Sequence, residues 1–206
     1  PFWALAHNGE IATIKGNVAW MRAIGRDLIA QLREKYPPLA PIADLAGDVV
    51  CSGGSDTANL DDMVIALIAG GMSIPQSLLA LLPESGKAVG DDARLGSFYE
   101  AMDVFLGACD GPAAVVACDG DEAVAHLDRN GLRPLWIATT PDYAVAASEL
   151  TGKFPTGDVE VQRLLGPGDT VVVNLRTGEV RLNDQVHEDV ARRPFPTPNG
   201  RMIRGL

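Results

Sequence analysis

Cysteine is scarce in this sequence: its 206 residues include three, at positions 51, 109 and 118. No two of them form a C-x-x-C pair, which argues against both a disulfide-stabilised secreted domain and a zinc site. The three histidines also have no metal-ligand spacing among themselves. We therefore expect no metal site, and a reducing compartment, the cytoplasm, as the location.

Positive charge is scarce too, with 17 Lys and Arg residues against 27 Asp and Glu, a formal net charge of −10 and a pI of about 4.7. No Lys- or Arg-rich run exists that could attract a phosphate backbone, so we expect no nucleic-acid partner. No apolar run approaches the ~18 residues of a membrane span. The N-terminus PFWALAHNG also lacks the charged leader of a signal peptide, and we expect no membrane partner.

What the chain has is apolar content: 47% of its residues are hydrophobic, enough for one sizeable core. It begins with Pro1 rather than Met, in a stretch that has the pattern of a mid-strand. We interpret the chain as a fragment of a longer protein, with one domain over residues 1–190 and a linker or tail over 191–206.

The first half of the chain has mostly helical patterns. Residues 2–7 and 10–14 are predicted to be short strands around Asn8-Gly9, a dipeptide that favours turns. Apolar residues at three- and four-residue steps predict a helix after Gly16, namely Val18, Met21, Ile24, Leu28, Ile29 and Leu32. Further helices are predicted from Ser55 or Asp56 to Gly70, over 75–82 and over 95–108.

The second half has the pattern of antiparallel hairpins. Strand-like segments flank turns at 119–122, at Pro141-Asp142 and at 176–178, which predicts three hairpins over 113–128, 135–148 and 170–183. Helices followed by hairpins favour an α+β fold over alternating βαβ units.

Asn8-Gly9 allows two interpretations. The dipeptide can be a plain hairpin turn, because both residues tolerate positive φ. It can also direct a side-chain amide and a backbone N–H at one point, which is how acyl-transfer enzymes hold an oxyanion.

Five blocks of the sequence occur in an order that is typical of one enzyme family. They are AHNGEIATIKGNVAWMRA (6–23), GGSDTANLDDMVIALIAGGMSIPQSL (53–78), FYEAMDVFLGACDGPAAVVACDG (98–120), LDRNGLRPLWIATTPDYAVAASE (127–149) and LLGPGDTVVVNLRTGEV (164–180). Together they resemble the glutaminase domain of the glutamate synthases, which are class II glutamine amidotransferases. DRNGLRPL followed by ASE resembles the class pattern R-D-x-x-G-x-R-P-L…S-E, with Leu127 in place of the first Arg.

The resemblance implies the fold of the N-terminal-nucleophile hydrolases, a four-layer αββα sandwich with two antiparallel sheets between helical layers, here incomplete. It implies hydrolysis of glutamine to glutamate and ammonia by an N-terminal cysteine whose α-amine is the base. Position 1 is Pro, and none of the three cysteines occupies the nucleophile's place. We found no counterpart of the family's carboxylate-binding Arg loop, so we expect an N-terminally truncated chain that is inactive alone.

Site residues follow from the same resemblance. Asn8 and Gly9 resemble the oxyanion hole, and Asp56 in GGSDTANLD resembles the carboxylate that binds the α-ammonium group of glutamine. Asp56 can equally be a helix N-cap. Gly54, like Gly53, would allow close approach of the substrate.

The remaining polar candidates have weaker support. His7, beside Asn8, is interpreted as a positioning or core residue, and residues 129–134 as a structural turn whose arginines tie loops together. Cys51 has no activating neighbour in sequence and is interpreted as a loop or buried cysteine, while Cys109 and Cys118 are expected to pack as small apolar residues.

In the family, ammonia passes through an internal tunnel to 2-oxoglutarate for glutamate synthesis. The resemblance implies FMN and an iron–sulfur cluster in other domains and none in this chain, with an electron-donating subunit or ferredoxin as partner. The alternative is a non-catalytic module that binds glutamine or glutamate, or acts as a scaffold. A third hypothesis, Pro1 as a catalytic secondary amine, lacks an evident acidic or electrophilic partner.

Overall fold

The computed structural model describes residues 4–35, 49–50, 53–85, 93–150, 158–196 and 202–203. Its helices are α1 (Ile14–Lys35), α2 (Asp56–Ala69), α3 (Ile74–Leu81), α4 (Ala93–Phe105) and α5 (Asn183–Arg192). Its strands are β1 (Leu5–Gly9), β2 (Ala113–Cys118), β3 (Glu122–Leu127), β4 (Trp136–Thr139), β5 (Ala144–Ala147), β6 (Val161–Leu164), β7 (Thr170–Asn174), β8 (Val180–Arg181), β9 (Phe195–Pro196) and β10 (Met202–Ile203). Within these ranges, no helix combines the length and apolarity that a bilayer crossing needs.

The strands form two antiparallel sheets and one short extra pair. The larger sheet has five strands in the order β1-β2-β3-β7-β8, and the smaller has three in the order β5-β4-β6. The three hairpins predicted from turn residues are confirmed as β2–β3, β4–β5 and β7–β8.

The two sheets pack against each other, and the helices cover the other face of the five-stranded sheet. An inter-sheet core joins residues of both sheets and their flanking loops: Ala114, Ala125, Leu127, Leu135, Ile137, Leu165 and Val171. A larger core on the opposite face of the five-stranded sheet contains buried residues of the helices, such as Leu60, Leu78 and Phe98, with Val115 of β2. This arrangement of helices, sheet and sheet in the described ranges confirms the α+β sandwich with two antiparallel sheets.

Local capping explains where the helices begin. Ser55 is the N-cap of α2, and its Oγ accepts a hydrogen bond from the Ala58 backbone N–H at 3.2 Å. Ser73 and Gln76 form a capping box at the start of α3. The predicted helices are confirmed, with α1 starting at Ile14 rather than after Gly16. Leu28, Ile29 and Leu32 lie among the α1 residues whose side chains the structure does not describe.

One strand prediction is wrong. Asn8 and Gly9 are not a turn between two strands, because β1 runs without interruption from Leu5 to Gly9 and pairs with β2, ending at the pair Gly9 and Ala113. Residues 10–13 are a loop that leads into α1. Pairing across 104 positions of sequence outweighs the local turn preference of the dipeptide.

Four elements were not predicted: the polar strand β6, the helix α5 and the two short strands β9 and β10. The predicted domain boundary after residue 190 falls inside α5. Ala191 and Phe195 are both buried in the helical core, and the rings of Phe195 and Phe98 pack edge to face with centroids 5.3 Å apart. The packed domain therefore includes Phe195, and Met202–Ile203 pair with Phe195–Pro196, so the structure does not support a linker that begins at residue 191.

Candidate functional site

The end of β1 lies at an edge of the five-stranded sheet. Two hydrogen bonds fix which of its backbone groups face β2: Cys118 N–H donates to Ala4 O at 2.7 Å and Glu10 N–H donates to Pro112 O at 3.0 Å. Along an antiparallel ladder, the backbone N–H and C=O groups of alternate residues face the partner strand. The backbone groups of Asn8 therefore face β2, as those of Ala4 and Glu10 do. The Gly9 N–H therefore points away from β2.

Asn8 projects toward the three-stranded sheet. Its side-chain Nδ2 donates a hydrogen bond to Ser148 Oγ at 2.8 Å, directly after β5. The residue is exposed, and it lines a cavity of about 160 Å³ between the sheets together with Ser148 and Leu135. The amide is therefore oriented by one partner and still accessible.

Gly9 is required by the backbone at this point. Its φ is +149°, and a Cβ there would lie 1.7 Å from the Pro112 carbonyl oxygen. Only glycine allows β1 and β2 to approach this closely while the Gly9 N–H faces outward.

Asp56 is the first residue of α2, and it is held against the loop that follows β1. Its Oδ2 accepts a hydrogen bond from the Ile11 backbone N–H at 2.9 Å. The N-cap role belongs to Ser55. An ionised carboxylate has about four lone-pair sites, so this bond leaves capacity for a cationic ligand.

His7 connects β1 to α2. Its Nδ1 lies 3.2 Å from Thr57 Oγ1, and its Nε2 is buried without a hydrogen-bond partner in the described residues. Burial lowers the pKa of His7, the nearby Asp56 carboxylate opposes this shift, and the Arg133 guanidinium adds to it. The structure thus gathers Asn8, Gly9, His7 and Asp56 at one end of the sandwich, with Arg133 close by.

Gly54 lies in the exposed loop before α2. Its carbonyl oxygen accepts a hydrogen bond from Asn59 Nδ2 at 3.1 Å, and an added Cβ would lie 3.2 Å from the Ala58 Cβ. Gly54 therefore lies in the loop that leads into α2, two residues before Asp56. Its role in substrate approach remains a prediction, as do the roles of Asn8, Gly9 and Asp56.

The turn that contains the class motif has a structural role. The Arg129 guanidinium binds Asp110 at 2.7 Å, and the buried Asp128 carboxylate accepts hydrogen bonds from the N–H groups of Ala113 and Asn130. These bonds tie the turn to the start of β2, beside Gly9. Ser148 belongs to the ASE part of the same motif, and sequence reasoning did not recognise it as the partner of Asn8.

Neither described cysteine is placed to attack a substrate beside Asn8. Cys109 is buried, and burial raises the pKa of its thiol to about 12. Cys118 is exposed, contrary to the expected apolar packing, and follows Ala114, the partner of Asn8, by four residues, about 13 Å along the strand. Cys51 lies outside the described residues.

The other two histidines make buried structural contacts. His126 binds Thr170 Oγ1 and Leu82 O through its two ring nitrogens, and His187 Nε2 pairs with Glu84 Oε1. In the described part of the chain, no three His, Cys, Asp or Glu side chains are grouped so that they could hold a metal ion.

Comparison with known proteins identifies related sequences. A family model described as "Glutamine amidotransferases class-II" matches residues 1–196. The chain is 37% identical over 203 residues to a ferredoxin-dependent glutamate synthase of Cyanidium caldarium, covering 95% of this chain and 12% of that protein. It is 30% identical over 196 residues to the large chain of the NADPH glutamate synthase of Azospirillum brasilense. That match covers 93% of this chain and 12% of that protein. The chain thus spans about 12% of the length of these relatives.

Solved structures show weaker likeness. The glutamine phosphoribosylpyrophosphate amidotransferase of B. subtilis aligns with 86% of this chain and 28% of its own, at 20% identity and a TM-score of 0.45. A class II glutamine aminotransferase domain protein of Silicibacter pomeroyi aligns with 86% of this chain and 66% of its own, at 12% identity and a TM-score of 0.40.

Proposed function

This chain belongs to the class II glutamine amidotransferases, and from that premise we propose that it supplies the oxyanion hole and the substrate-amine site of a glutamine-hydrolysing centre. The observation that carries the proposal is the end of β1. There an accessible side-chain amide and an outward backbone N–H come from adjacent residues, Asn8 and Gly9. The Asp56 carboxylate is bonded to the same loop at Ile11.

The two donors match the charge that develops during amide hydrolysis. When a nucleophile attacks the side-chain carbonyl of glutamine, the oxygen becomes an anion that needs fixed donors. The Asn8 amide has two N–H bonds, so one can hold Ser148 Oγ while the other faces the oxyanion. Ser148 then keeps the amide in one orientation, which reduces the reorganisation needed in the transition state.

Asp56 provides the matching charge for the other end of the substrate. A carboxylate opposite an α-ammonium group makes charge-assisted hydrogen bonds and selects amino acids over simple amides. The Ile11 N–H and the start of α2 hold this carboxylate in position. Gly54 leaves room for the substrate backbone in the preceding loop.

We propose that the nucleophilic cysteine comes from polypeptide outside these 206 residues. The burial of Cys109 and the distance of Cys118 from Asn8 support this. The attacking thiolate forms a thioester, ammonia leaves with the proton that the α-amine returns, and water then releases glutamate. In the intact protein, a glutamate synthase by this proposal, the ammonia passes to 2-oxoglutarate in domains that carry FMN and an iron–sulfur cluster, reduced by a subunit or ferredoxin in the cytoplasm.

The test compares ammonia release from glutamine by the 206-residue chain and by the intact polypeptide that contains it. We expect activity only in the intact polypeptide. Asn8→Ala should lower kcat by roughly 10²–10³-fold with little change in KM, because one oxyanion donor is lost. Asp56→Asn should instead raise KM, because the charge that faces the ammonium is lost.

Matched controls are Gln162→Ala and Asp142→Asn, which remove an exposed side-chain amide and an exposed carboxylate. Glutamine hydrolysis by the short chain that disappears in Cys51→Ala would refute the external nucleophile. Glutamine binding without any hydrolysis by the intact polypeptide would favour the non-catalytic binding module instead.

A further inference from the structure

His7 lies in the proposed site but has no part in either of the roles assigned above. On β1 it precedes Asn8, and its ring contacts Thr57, the residue after Asp56. Its Nε2 is buried and has no hydrogen-bond partner in the described ranges. A ring so placed can change charge within the site without breaking a bond at that nitrogen.

Two charged side chains from different parts of the fold act electrostatically on this ring. Asp56 comes from α2 and Arg133 from the loop between β3 and β4. The neighbouring strand contributes Val115 opposite His7, which carries no charge. Asp56 attracts a proton to the ring, while Arg133 and burial oppose it, and the pKa of His7 is lowered on balance. His7 is therefore neutral at neutral pH and becomes a cation only in acid.

We propose that His7 sets the acid limit of glutamine binding, because a protonated His7 is a second cation beside the carboxylate that receives the α-ammonium group. The inference rests on the proposed function of Asp56. By thermodynamic reciprocity, a bound ammonium group disfavours protonation of His7 as much as protonation disfavours the ammonium group. His7 is thus a positioning residue that acts on the substrate through Asp56.

The experiment measures the dissociation constant of L-glutamine by calorimetry between about pH 7.5 and about pH 4, a window that begins above the ordinary histidine pKa and extends below it because the pKa of His7 is lowered. It uses the intact polypeptide with its nucleophilic cysteine replaced by alanine, so that glutamine binds without reacting. We expect affinity to fall about fivefold or more toward acid, a typical size for coupling between two sites. His7→Gln, which keeps a polar contact for Thr57 but cannot be charged, should remove this fall.

Arg133→Gln is a second variant, which should shift the acid dependence of glutamine binding rather than remove it. Because Arg133 lowers the pKa of His7, its removal should start the loss of affinity at a higher pH. A purely structural role of His7 predicts no such displacement. Glutaramate, which is glutamine without its ammonium group, serves as the second probe, and its weaker binding should not fall toward acid in the same way.

An unchanged acid dependence in His7→Gln, or an equal dependence for glutaramate, would overturn the inference. Failure of the proposed function has a different result: the polypeptide with its cysteine restored releases no ammonia, or Asp56→Asn leaves glutamine affinity at neutral pH unchanged.

Discussion

At the residue scale, the backbone of Gly9 has two roles. It allows the close approach of β1 to β2, and its N–H is the proposed oxyanion donor. An added Cβ would lie 1.7 Å from the Pro112 oxygen and 2.8 Å from its carbonyl carbon, and φ is +149°. Both atoms belong to the backbone, so no side-chain rotation can relieve the contact. Any larger residue must displace the end of β1 from β2.

We predict that Gly9→Ala lowers the free energy of unfolding by at least about 1–3 kcal/mol, the usual cost of a strained backbone, with the clash adding to it. Gly16→Ala is the matched control, because Gly16 is inside α1 and nothing lies within 4 Å of its added Cβ. That change should stabilise by about 0.5–1 kcal/mol. Urea unfolding of both variants checks this, and a Gly9→Ala chain as stable as wild type would contradict it.

The sequence could supply the residues of the site but not their contacts. Asn8, Gly9 and Asp56 were found through residues that resemble a family motif, and the structure places all three around one loop. Ser148 orients Asn8 from 140 positions away, a proximity that arises only when the two sheets pack. Short-range patterns contain no information about such a pair.

At the element scale, His126 joins three parts of the fold. It lies fully buried on β3, its Nδ1 is 2.8 Å from Thr170 Oγ1 of β7, and its Nε2 is 2.9 Å from the Leu82 carbonyl oxygen after α3. The ring satisfies both contacts when neutral, with Nε2 as the donor to Leu82. Burial lowers its pKa to about 4.

This predicts a stability loss in acid. The unfolded chain has a histidine pKa of about 6.5, so between about pH 6.5 and about pH 4 the unfolded state binds more protons than the folded state. The contribution of His126 to the free energy of unfolding is complete above the histidine pKa of the unfolded chain. It decreases as pH falls through this window, by about 3 kcal/mol in total. Denaturant unfolding at a series of pH values measures the slope.

His126→Gln isolates the contribution of this ring from other acid titrations. The variant should be less stable than wild type at neutral pH, and the difference between the two should shrink as pH falls toward 4. A difference that stays constant with pH would show that His126 is not the titrating group.

The elements that were predicted correctly are those with strong local signals. Turn residues marked the three hairpins, and caps such as Ser55 marked the helix starts. The missed helix α5 has the sequence NDQVHEDVAR, in which few apolar residues establish a helical spacing. The missed strand β6, VQRL, is half polar and exposed. In β1, the dipeptide Asn8-Gly9 favours a turn locally, but pairing with β2 keeps it extended.

At the scale of the whole molecule, both sheets present edges within the described ranges. β6 ends the order of the three-stranded sheet, and its Val161 and Leu164 are 42% and 51% exposed. Between the sheets lies a cavity of about 300 Å³ lined mostly by alanine and valine. An edge strand with exposed apolar side chains is a template for pairing with another chain.

We predict that the 206-residue chain self-associates through the β6 edge. Val161→Lys should weaken association strongly, because a charge on an edge strand opposes strand pairing, and it should leave the melting temperature almost unchanged. Val104→Lys is the control: Val104 is 67% exposed on α4, so both variants change the net charge of −10 equally. Sedimentation velocity over a range of concentrations distinguishes the two. Equal effects of the two lysines would show that net charge alone governs association, and a wild-type chain that stays monomeric throughout would refute the prediction.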